Sequence, residues 1–320
     1  MTSPRVVAIT RLSEMRIVFA GSPEVALPTL KALHASAHTL EGVLTQPARP
    51  VGRKQVRTPT PVALAAEELR VPVATPETAE GVMAALSSWK PDVVIVVAYG
   101  RMLGEEELSR VPQGWWNVHF SLLPRWRGAA PVPYALAAGD EETGVSVFRI
   151  EQGLDTGPVA QVRTYTIAPH DTASGVLAKL AEMAPEAVLT LLEDIGAGSP
   201  RVSAQQGEPT FAPKPSRNVG SIDWSKSAAD IYNQLRAWGD EPGCFAVRDD
   251  NEQQVKVISA WHDVAQGGLR PGALVSHSEG VSVGTGTTAI VLTSVQPDGK
   301  SVMQAKDWFR GLPPGVGFRA

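Results

Sequence analysis

Apolar runs and segments with helical spacing alternate along the first half of the chain. Residues 92–98 are nearly all Val and Ile, which is typical of a central strand covered on both faces. Apolar residues with a period close to 3.6 follow the predicted strands. The predicted strands include residues 16–20, 40–44 and 92–98, and the predicted helices include residues 23–33, 61–69 and 78–89. This alternation predicts an α/β domain with a mostly parallel sheet.

The first domain continues to residue 195. Residues 145–150 and 159–166 predict two further strands, and residues 172–195 predict a long amphipathic helix. The pattern then changes. Residues 196–215 are rich in Gly, Pro, Ser and Gln, which indicates a linker. A helix and four short apolar runs follow, at residues 228–238, 255–257, 273–275, 281–283 and 290–292. Because Gly, Pro and Asp separate these runs, they predict a second, small β domain.

Length, charge and cysteine content narrow the class of protein. With 320 residues, the chain is long enough for two domains. The net charge is −4, so binding of a nucleic acid would require a local concentration of positive charge. The single cysteine, Cys244, excludes an intrachain disulfide, and we expect a buried thiol in a protein of the reducing cytoplasm.

The termini and apolar runs give no signal for membrane association. No apolar run reaches the roughly 20 residues that a bilayer span requires. Residues 1–14 lack the long apolar stretch of a signal peptide and precede the first predicted strand. We therefore predict a disordered extension over residues 1–14 and no membrane contact.

Three polar residues carry the strongest chemical signal. Asn117 and His119 are two apart at the end of a predicted strand, so both side chains project to the same face. An amide donor beside an imidazole can bind the oxyanion that forms when a carbonyl is attacked. Asp155, in the run Gly-Leu-Asp-Thr-Gly, could orient this imidazole and favour its cationic form. An amide, an imidazole and a carboxylate side chain in this pattern indicate acyl or formyl transfer through a tetrahedral intermediate.

A basic segment lies within the first domain. From Gly42 to Ala66 the chain has no acidic residue. The same segment contains four cationic residues, Arg49, Arg53, Lys54 and Arg57. Taken alone, it is typical of a solvated loop; beside a catalytic strand, it suits an RNA end with phosphates and unstacked bases.

Several strings in the chain are long enough to be specific. The longest covers residues 117–131 and contains Ser-Leu-Leu-Pro-Arg-Trp-Arg-Gly-Ala-Ala-Pro, whose prolines and glycine predict a rigid, irregular loop. The others are residues 18–23, 45–47, 96–100 and 153–157, with weaker matches at 222–224 and 296–300. In these strings the chain resembles the folate-dependent formyltransferases, from about Met15 nearly to the C-terminus.

The resemblance implies a fold and a reaction. It implies a Rossmann-like catalytic domain over residues 15–195, a linker over 196–220 and an OB-like β-barrel that binds tRNA over 221–320. The implied reaction transfers the formyl group of 10-formyltetrahydrofolate to the α-amino group of methionyl initiator tRNA, for translation initiation. We expect no metal, and a cytoplasmic monomer.

The resemblance also assigns roles to individual residues. Asn117 and His119 would stabilise the oxyanion, and Asp155 would orient and charge His119. The implied folate contacts are Val97, Ala98, Tyr99, Gly100, Ser121, Leu122, Leu123, Pro124 and Leu154. The implied tRNA contacts are Arg49, Arg53, Lys54 and Arg57, of which Arg53 falls on the family's key loop arginine. Position 120 is usually glycine in the family and is Phe120 here, so its ring must point away from the oxyanion site.

Two other functions are consistent with parts of the pattern. A formyltransferase for a small acceptor, such as glycinamide ribonucleotide or an amino sugar nucleotide, would share Asn, His and Asp. Such an enzyme would not require both the basic segment and the C-terminal domain. A catalytically silent tRNA- or folate-binding protein would not require all three polar residues.

Overall fold

The structure is a computed structural model that describes residues 14–52, 54–198 and 200–320. The extension before Glu14 and the basic residue Arg53 therefore lie outside the described residues. The chain divides into two compact units. The first comprises Met1–Pro124, Gly144–Thr164 and Ala178–Glu208; the second comprises Arg125–Thr143, Tyr165–Leu177 and Pro209–Ala320. The division at Glu208 falls inside the segment predicted as a linker, and the domain boundaries of the sequence analysis stay a prediction.

A seven-stranded sheet dominates the N-terminal half, in the order β5-β2-β1-β6-β7-β8-β9. Strands β5, β2, β1, β6 and β7 pair in parallel, and β8 pairs antiparallel with β7. The prediction of a mostly parallel α/β sheet is thus confirmed. The strands are β1 Arg16–Gly21, β2 Thr39–Leu44, β3 Arg49–Val51, β4 Val56–Thr58, β5 Val73–Ala74, β6 Val93–Val97, β7 Trp115–His119, β8 Glu142–Arg149 and β9 Val159–Thr166.

Four predicted helices of this half are present, as α1 Leu27–Ala35, α2 Pro61–Glu68, α3 Ala79–Trp89 and α6 Ala173–Gly196. Two short helices, α4 Glu105–Ser109 and α5 Pro131–Ala137, were not predicted. Hydroxyl caps fix two of the starts: Thr60 Oγ1 accepts from Ala63 N, and Thr78 Oγ1 accepts from Gly81 N. Pro61 follows its cap at the first helical position, where a missing N–H costs nothing.

The core of the first unit explains why β6 reads as an uninterrupted apolar run. All five residues of β6 are buried, because neighbouring strands cover its edges and both faces are packed. Gly42 in β2 lies directly under the indole of Trp89, where an added Cβ would come within 2.4 Å of the ring. Helix α3 thus packs close to the sheet at a position that only glycine permits.

The second unit contains an antiparallel sheet in the order β10-β11-β14-β13-β12, with β15 paired to β14. The predicted small β domain and the helix over 228–238 are confirmed, and the strands of the domain are antiparallel. The elements are α7 Ala228–Trp238, β10 Cys244–Val247, β11 Gln254–Asp263, β12 Leu274–Ser276, β13 Val281–Gly284, β14 Ala289–Pro297, β15 Met303–Gln304 and α8 Ala305–Arg310. Phe318 stacks on both Trp224 and Trp308, with ring centroids 5.5 and 5.6 Å apart, and closes this core.

The second half of the long motif belongs to the second unit. Tyr134 of α5 stacks on Trp126 and meets the Trp238 ring edge-on, at centroid distances of 5.9 and 5.1 Å. Arg127 pairs with Phe211 in an isolated parallel bridge. No helix or strand occurs between the end of β7 at His119 and the start of α5 at Pro131, so the predicted irregular loop is confirmed.

One element was missed in the basic segment. Instead of a plain loop, β3 and β4 form a two-stranded antiparallel hairpin in which Arg49 pairs with Thr58 and Val51 with Val56. Every described residue from 49 to 59 is exposed, so the strands have no buried face and leave no alternation in the sequence. Throughout the described ranges, no helix combines the length and apolar character of a membrane span.

Candidate active site

The site begins at the carboxyl end of β7, within the first unit. Asn117 pairs with Val96 of β6 on one side and with Phe148 of β8 on the other. His119, two residues further along the same face, is 5% exposed and pairs with Ser146. Because β1, β6 and β7 run parallel, their carboxyl ends meet at one edge of the sheet, where open α/β sheets bind ligands. The predicted shared face of Asn117 and His119 is therefore present.

Asp155 reaches this edge from the loop between β8 and β9. Its Oδ2 lies 3.7 Å from His119 Nδ1, and both side chains are largely buried. Arg149, the last residue of β8, pairs with Trp116 near the start of β7. The loop therefore folds back along β7 to bring its carboxylate to the level of His119. The structure thus brings together the three residues that the sequence analysis selected.

Two glycines shape the Asp155 loop. An added Cβ at Gly157 would lie 1.8 Å from the carbonyl oxygen of Arg149, so no side chain fits there. At Gly153 it would lie 2.3 Å from Thr156 Oγ1. The side chain of Gln152 donates to Glu105 Oε2 at 3.1 Å and ties the start of the loop to α4. The Gly-x-Asp-x-Gly spacing is thus a steric requirement of the turn that carries the carboxylate.

The Ser-Leu-Leu-Pro string leaves β7 directly after the site. Ser121 is fully buried, and its carbonyl accepts a hydrogen bond from Ser146 Oγ at 2.7 Å. Ser146 Oγ also accepts from Leu123 N at 3.2 Å. One hydroxyl on β8 therefore fixes the course of the predicted folate segment, which includes Leu122 and Pro124. Ser146 was missed because it is an ordinary position in an apolar strand.

The other predicted folate residues follow β6. Ala98 and Gly100 are exposed and have positive φ angles of 48° and 78°, so the backbone turns sharply there. Tyr99 between them is buried in the core, and Ser22 Oγ donates to its carbonyl at 3.1 Å. Val97 is also fully buried, whereas Leu154 is 49% exposed. Ala98 and Gly100, rather than Val97 or the Tyr99 ring, are thus the part of this segment that a ligand can reach.

Phe120 is buried, with 7% exposure. It lies directly after the end of β7 at His119 and belongs to the buried hydrophobic core. The direction of its ring relative to the Asn117 and His119 face stays a prediction.

Burial sets the protonation of two other side chains. Burial raises the pKa of Tyr99 to about 12, so its phenol stays neutral and is a poor base at physiological pH. Burial likewise raises the pKa of Cys244 to about 12, and its thiol donates to the Gln234 carbonyl. The prediction that Cys244 is a buried thiol is confirmed, and an unactivated thiol of this kind is a poor nucleophile.

Of the predicted tRNA contacts, three fall within the described residues. Arg49, Lys54 and Arg57 are exposed on the β3–β4 hairpin, and the guanidinium of Arg49 donates to Gln46 Oε1 at 2.8 Å. Val51 and Val56, paired across the strands, are also exposed, at 57% and 59%. Within the described part of the chain, no three His, Cys, Asp or Glu side chains are grouped as a metal site would require.

Comparison with known proteins gives the class to which this site belongs. The family model "Formyl transferase" matches residues 15–192, and "Formyl transferase, C-terminal domain" matches residues 215–313. The chain belongs to the formyl transferase family, and the resemblance noted in the sequence is confirmed.

Two relatives carry a more specific name. A methionyl-tRNA formyltransferase of a Nocardioides species is 44% identical over 310 residues, which cover 95% of this chain and 98% of the relative. The methionyl-tRNA formyltransferase of Clavibacter michiganensis is 43% identical over 299 residues, which cover 93% and 97%.

Solved structures share the fold at lower identity. The sugar 3N-formyl transferase WlaRD, solved with dTDP and 5-N-formyl-THF, gives a TM-score of 0.68 at 17% identity and covers 90% of this chain and 100% of its own. HypX from Aquifex aeolicus in complex with tetrahydrofolic acid gives 0.65 at 18% identity, covering 93% of this chain. This chain spans about half of HypX, 47% of its length.

We predict that Asn117→Ala and His119→Ala each lower the single-turnover rate of formyl transfer by about 10²- to 10³-fold, as for the loss of one oxyanion donor. The reason is their common position on one face of β7, at its carboxyl end. Rapid-quench kinetics measure the rate, and thermal melting serves as the control for folding. Rates within threefold of wild type in both variants would rule out the oxyanion assignment.

Asp155→Asn should give a folded protein that binds folate and transfers the formyl group far more slowly. The substitution keeps the shape of the side chain and removes the negative charge 3.7 Å from His119 Nδ1. Protonated His119 should then persist over a narrower pH range than in the wild type. NMR titration of the imidazole in both proteins checks the coupling, and identical titration curves would refute it.

Proposed function

We propose that this protein transfers the formyl group of 10-formyltetrahydrofolate to the α-amino group of methionyl initiator tRNA, yielding N-formylmethionyl-tRNA for translation initiation. The observation that carries the proposal is the His119–Asp155 pair beside Asn117 at the carboxyl edge of the sheet. The near full-length similarity to proteins named methionyl-tRNA formyltransferase supports the choice of acceptor.

The chemistry follows from the residues at this edge. The α-amino nitrogen attacks the formyl carbon and forms the new C–N bond, and the carbonyl oxygen gains the negative charge. The Asn117 amide and the His119 imidazole donate hydrogen bonds to this oxyanion. When the intermediate collapses, the bond to folate N10 breaks, the attacking nitrogen loses a proton and N10 gains one. The His119–Asp155 pair serves this proton exchange as an acid–base pair.

The folate segments lie in the same unit as these catalytic residues. Under the proposal, the backbone at 97–100, the string from Ser121 to Pro124 and the exposed Leu154 hold the folate. Ser146 keeps the string in place through its two hydrogen bonds. Positioning matters because the reaction joins two large substrates, and correct alignment replaces a costly bimolecular encounter. No step in this scheme uses a metal ion.

The hairpin is the proposed contact for the tRNA acceptor end. Its exposed cations supply local positive charge in a protein whose net charge is −4. The C-terminal segment 206–320 contains 11 basic and 12 acidic residues, so RNA contacts there require clustered cations. Two cations of this segment are held within the protein: Lys306 donates to the Ser278 carbonyl, and Arg310 pairs with Asp307.

A cavity in the second unit offers a further cluster of cations. It encloses about 430 Å³, and its lining includes Arg217 and Lys256 together with the amide side chains of Gln254 and Gln296. Asp298 in the same lining reduces the net charge. We include this cavity in the proposed tRNA-binding C-terminal domain, and we propose that the protein acts as a monomer in the cytoplasm.

The experiment that tests the function is a radiolabelled transfer assay. Purified protein is supplied with labelled 10-formyltetrahydrofolate and, separately, with methionyl initiator tRNA, uncharged initiator tRNA, glycinamide ribonucleotide and an amino sugar nucleotide. We expect label only on the charged tRNA. Label on a small acceptor would favour the alternative enzyme, and folate or tRNA binding without transfer would favour a silent binding protein.

We further predict that Arg57→Ala weakens the use of charged tRNA and leaves folate affinity within about twofold of wild type. A guanidinium that neutralises one phosphate contributes about 1 to the slope of log(kcat/KM) against log[salt], so the slope should flatten by about that amount. We expect the same effect from Arg53→Ala, because the sequence places Arg53 in the same basic segment. The measurement is kcat/KM for tRNA at several salt concentrations, beside a folate binding isotherm.

Lys31→Ala is the matched control, since Lys31 is an exposed cation of helix α1 in the same unit. Lys31→Ala should change neither kcat/KM for charged tRNA nor its dependence on salt concentration. If the Arg57 variant behaves like this control, the hairpin is a solvated surface element without RNA contacts.

A further inference from the structure

The backbone of Asp155 adopts an uncommon conformation. Its φ is +51°, in the left-handed region that residues with a side chain visit rarely. The loop around it reaches back along β7, away from the end of β8. Because the carboxylate stands 3.7 Å from His119 Nδ1, a modest shift of this loop would separate the pair. Some contact must hold the backbone of Asp155 in this place.

Gln205 makes that contact. Its Nε2 donates one hydrogen bond to the carbonyl of Asp155 at 2.7 Å and another to the carbonyl of Gly157 at 2.9 Å. The two accepting carbonyls are on either side of Thr156, so one amide group bridges the turn that carries the carboxylate. A primary amide has two N–H donors at a fixed angle, which suits this bridging.

The segment that bears Gln205 is itself anchored to β9. Val159 and Ser203 exchange two backbone hydrogen bonds, each 2.9 Å long. Gln205 is partly buried, whereas all other residues from 201 to 209 are exposed. This side chain thus turns inward from a polar segment whose composition predicts only a linker.

We propose that Gln205 is a positioning residue for formyl transfer, holding the Asp155 carboxylate beside His119. The inference rests on the proposed function, and Gln205 acts through Asp155 rather than on the substrates. Misplacement of a reacting or charge-stabilising group by about 1 Å can cost about 10²-fold in rate. Loss of the bridge should therefore lower the chemical rate while substrate affinities stay the same.

Gln205→Glu and Gln205→Ala test the proposal. Glutamate keeps the size of the side chain and, when ionised, has no hydrogen to donate to the two carbonyls. Gln206→Ala is the matched control, because Gln206 is exposed in the same segment and donates to the neighbouring Ala204 carbonyl instead of to the Asp155 loop. We expect about a 10- to 100-fold lower single-turnover rate in both Gln205 variants, unchanged KM for tRNA and unchanged folate affinity, and wild-type behaviour of the control.

A double-mutant cycle with Asp155→Asn separates positioning from a general fold defect. If Gln205 acts through the Asp155 carboxylate, Gln205→Glu should have little further effect once that carboxylate is gone. An equal, additive loss in both backgrounds would overturn the proposal, and so would rates within twofold of wild type or a parallel loss of folate affinity.

An NMR comparison keeps this test independent of the proposed reaction. If the wild-type protein transfers no formyl group to charged initiator tRNA, the proposed function fails by that result alone. The amide resonances and hydrogen exchange of Asp155 and Thr156 should still change in Gln205→Glu and stay constant in Gln206→Ala. Unchanged loop resonances in Gln205→Glu would show that the amide does not hold the loop.

Discussion

The approach of the Asp155 carboxylate to the His119 imidazole is the contact on which the proposed chemistry depends. The two residues are far apart in the chain. β8 ends beside the start of β7, whereas His119 lies at the carboxyl end of β7. The loop must turn back along the sheet, and its glycines and its positive-φ aspartate permit that turn. Because β6 and β7 run parallel, their carboxyl ends bring the predicted folate segments at 97–100 and 121–124 to the same edge of the sheet.

Electrostatics impose a second constraint. An RNA substrate is a polyanion, yet the chain carries a net charge of −4 and a balanced C-terminal segment. Positive charge is instead placed on the exposed hairpin of β3 and β4, where carbonyl and amide pairing holds the strands without a buried face. Under the proposed function, local charge on this small, solvated element would bind one end of the tRNA while the rest of the surface stays acidic enough for solubility.

Much of the fold and of the site could be predicted from the sequence, for identifiable reasons. The β6 segment is a continuous apolar run, and the capped helices have apolar residues at helical spacing. Asn117 and His119 fall on one face by strand geometry alone. Asp155 was assigned by its motif, since spacing cannot show that a loop folds back. The β3–β4 hairpin lacks apolar alternation, and α5 is a short helix that begins in a proline-rich string. Ser146 and Gln205 were missed because their roles consist of hydrogen bonds to distant carbonyls, which leave no trace in local sequence.

The most direct test of the oxyanion site is a crystal structure with a formyl-folate analogue that cannot transfer its formyl group. We expect the formyl oxygen within about 3.2 Å of both the Asn117 amide nitrogen and an imidazole nitrogen of His119. We also expect the formyl carbon to be open to an amine from the opposite side. A formyl oxygen that lies beyond hydrogen-bonding distance of both side chains, in an otherwise ordered folate, would contradict this assignment.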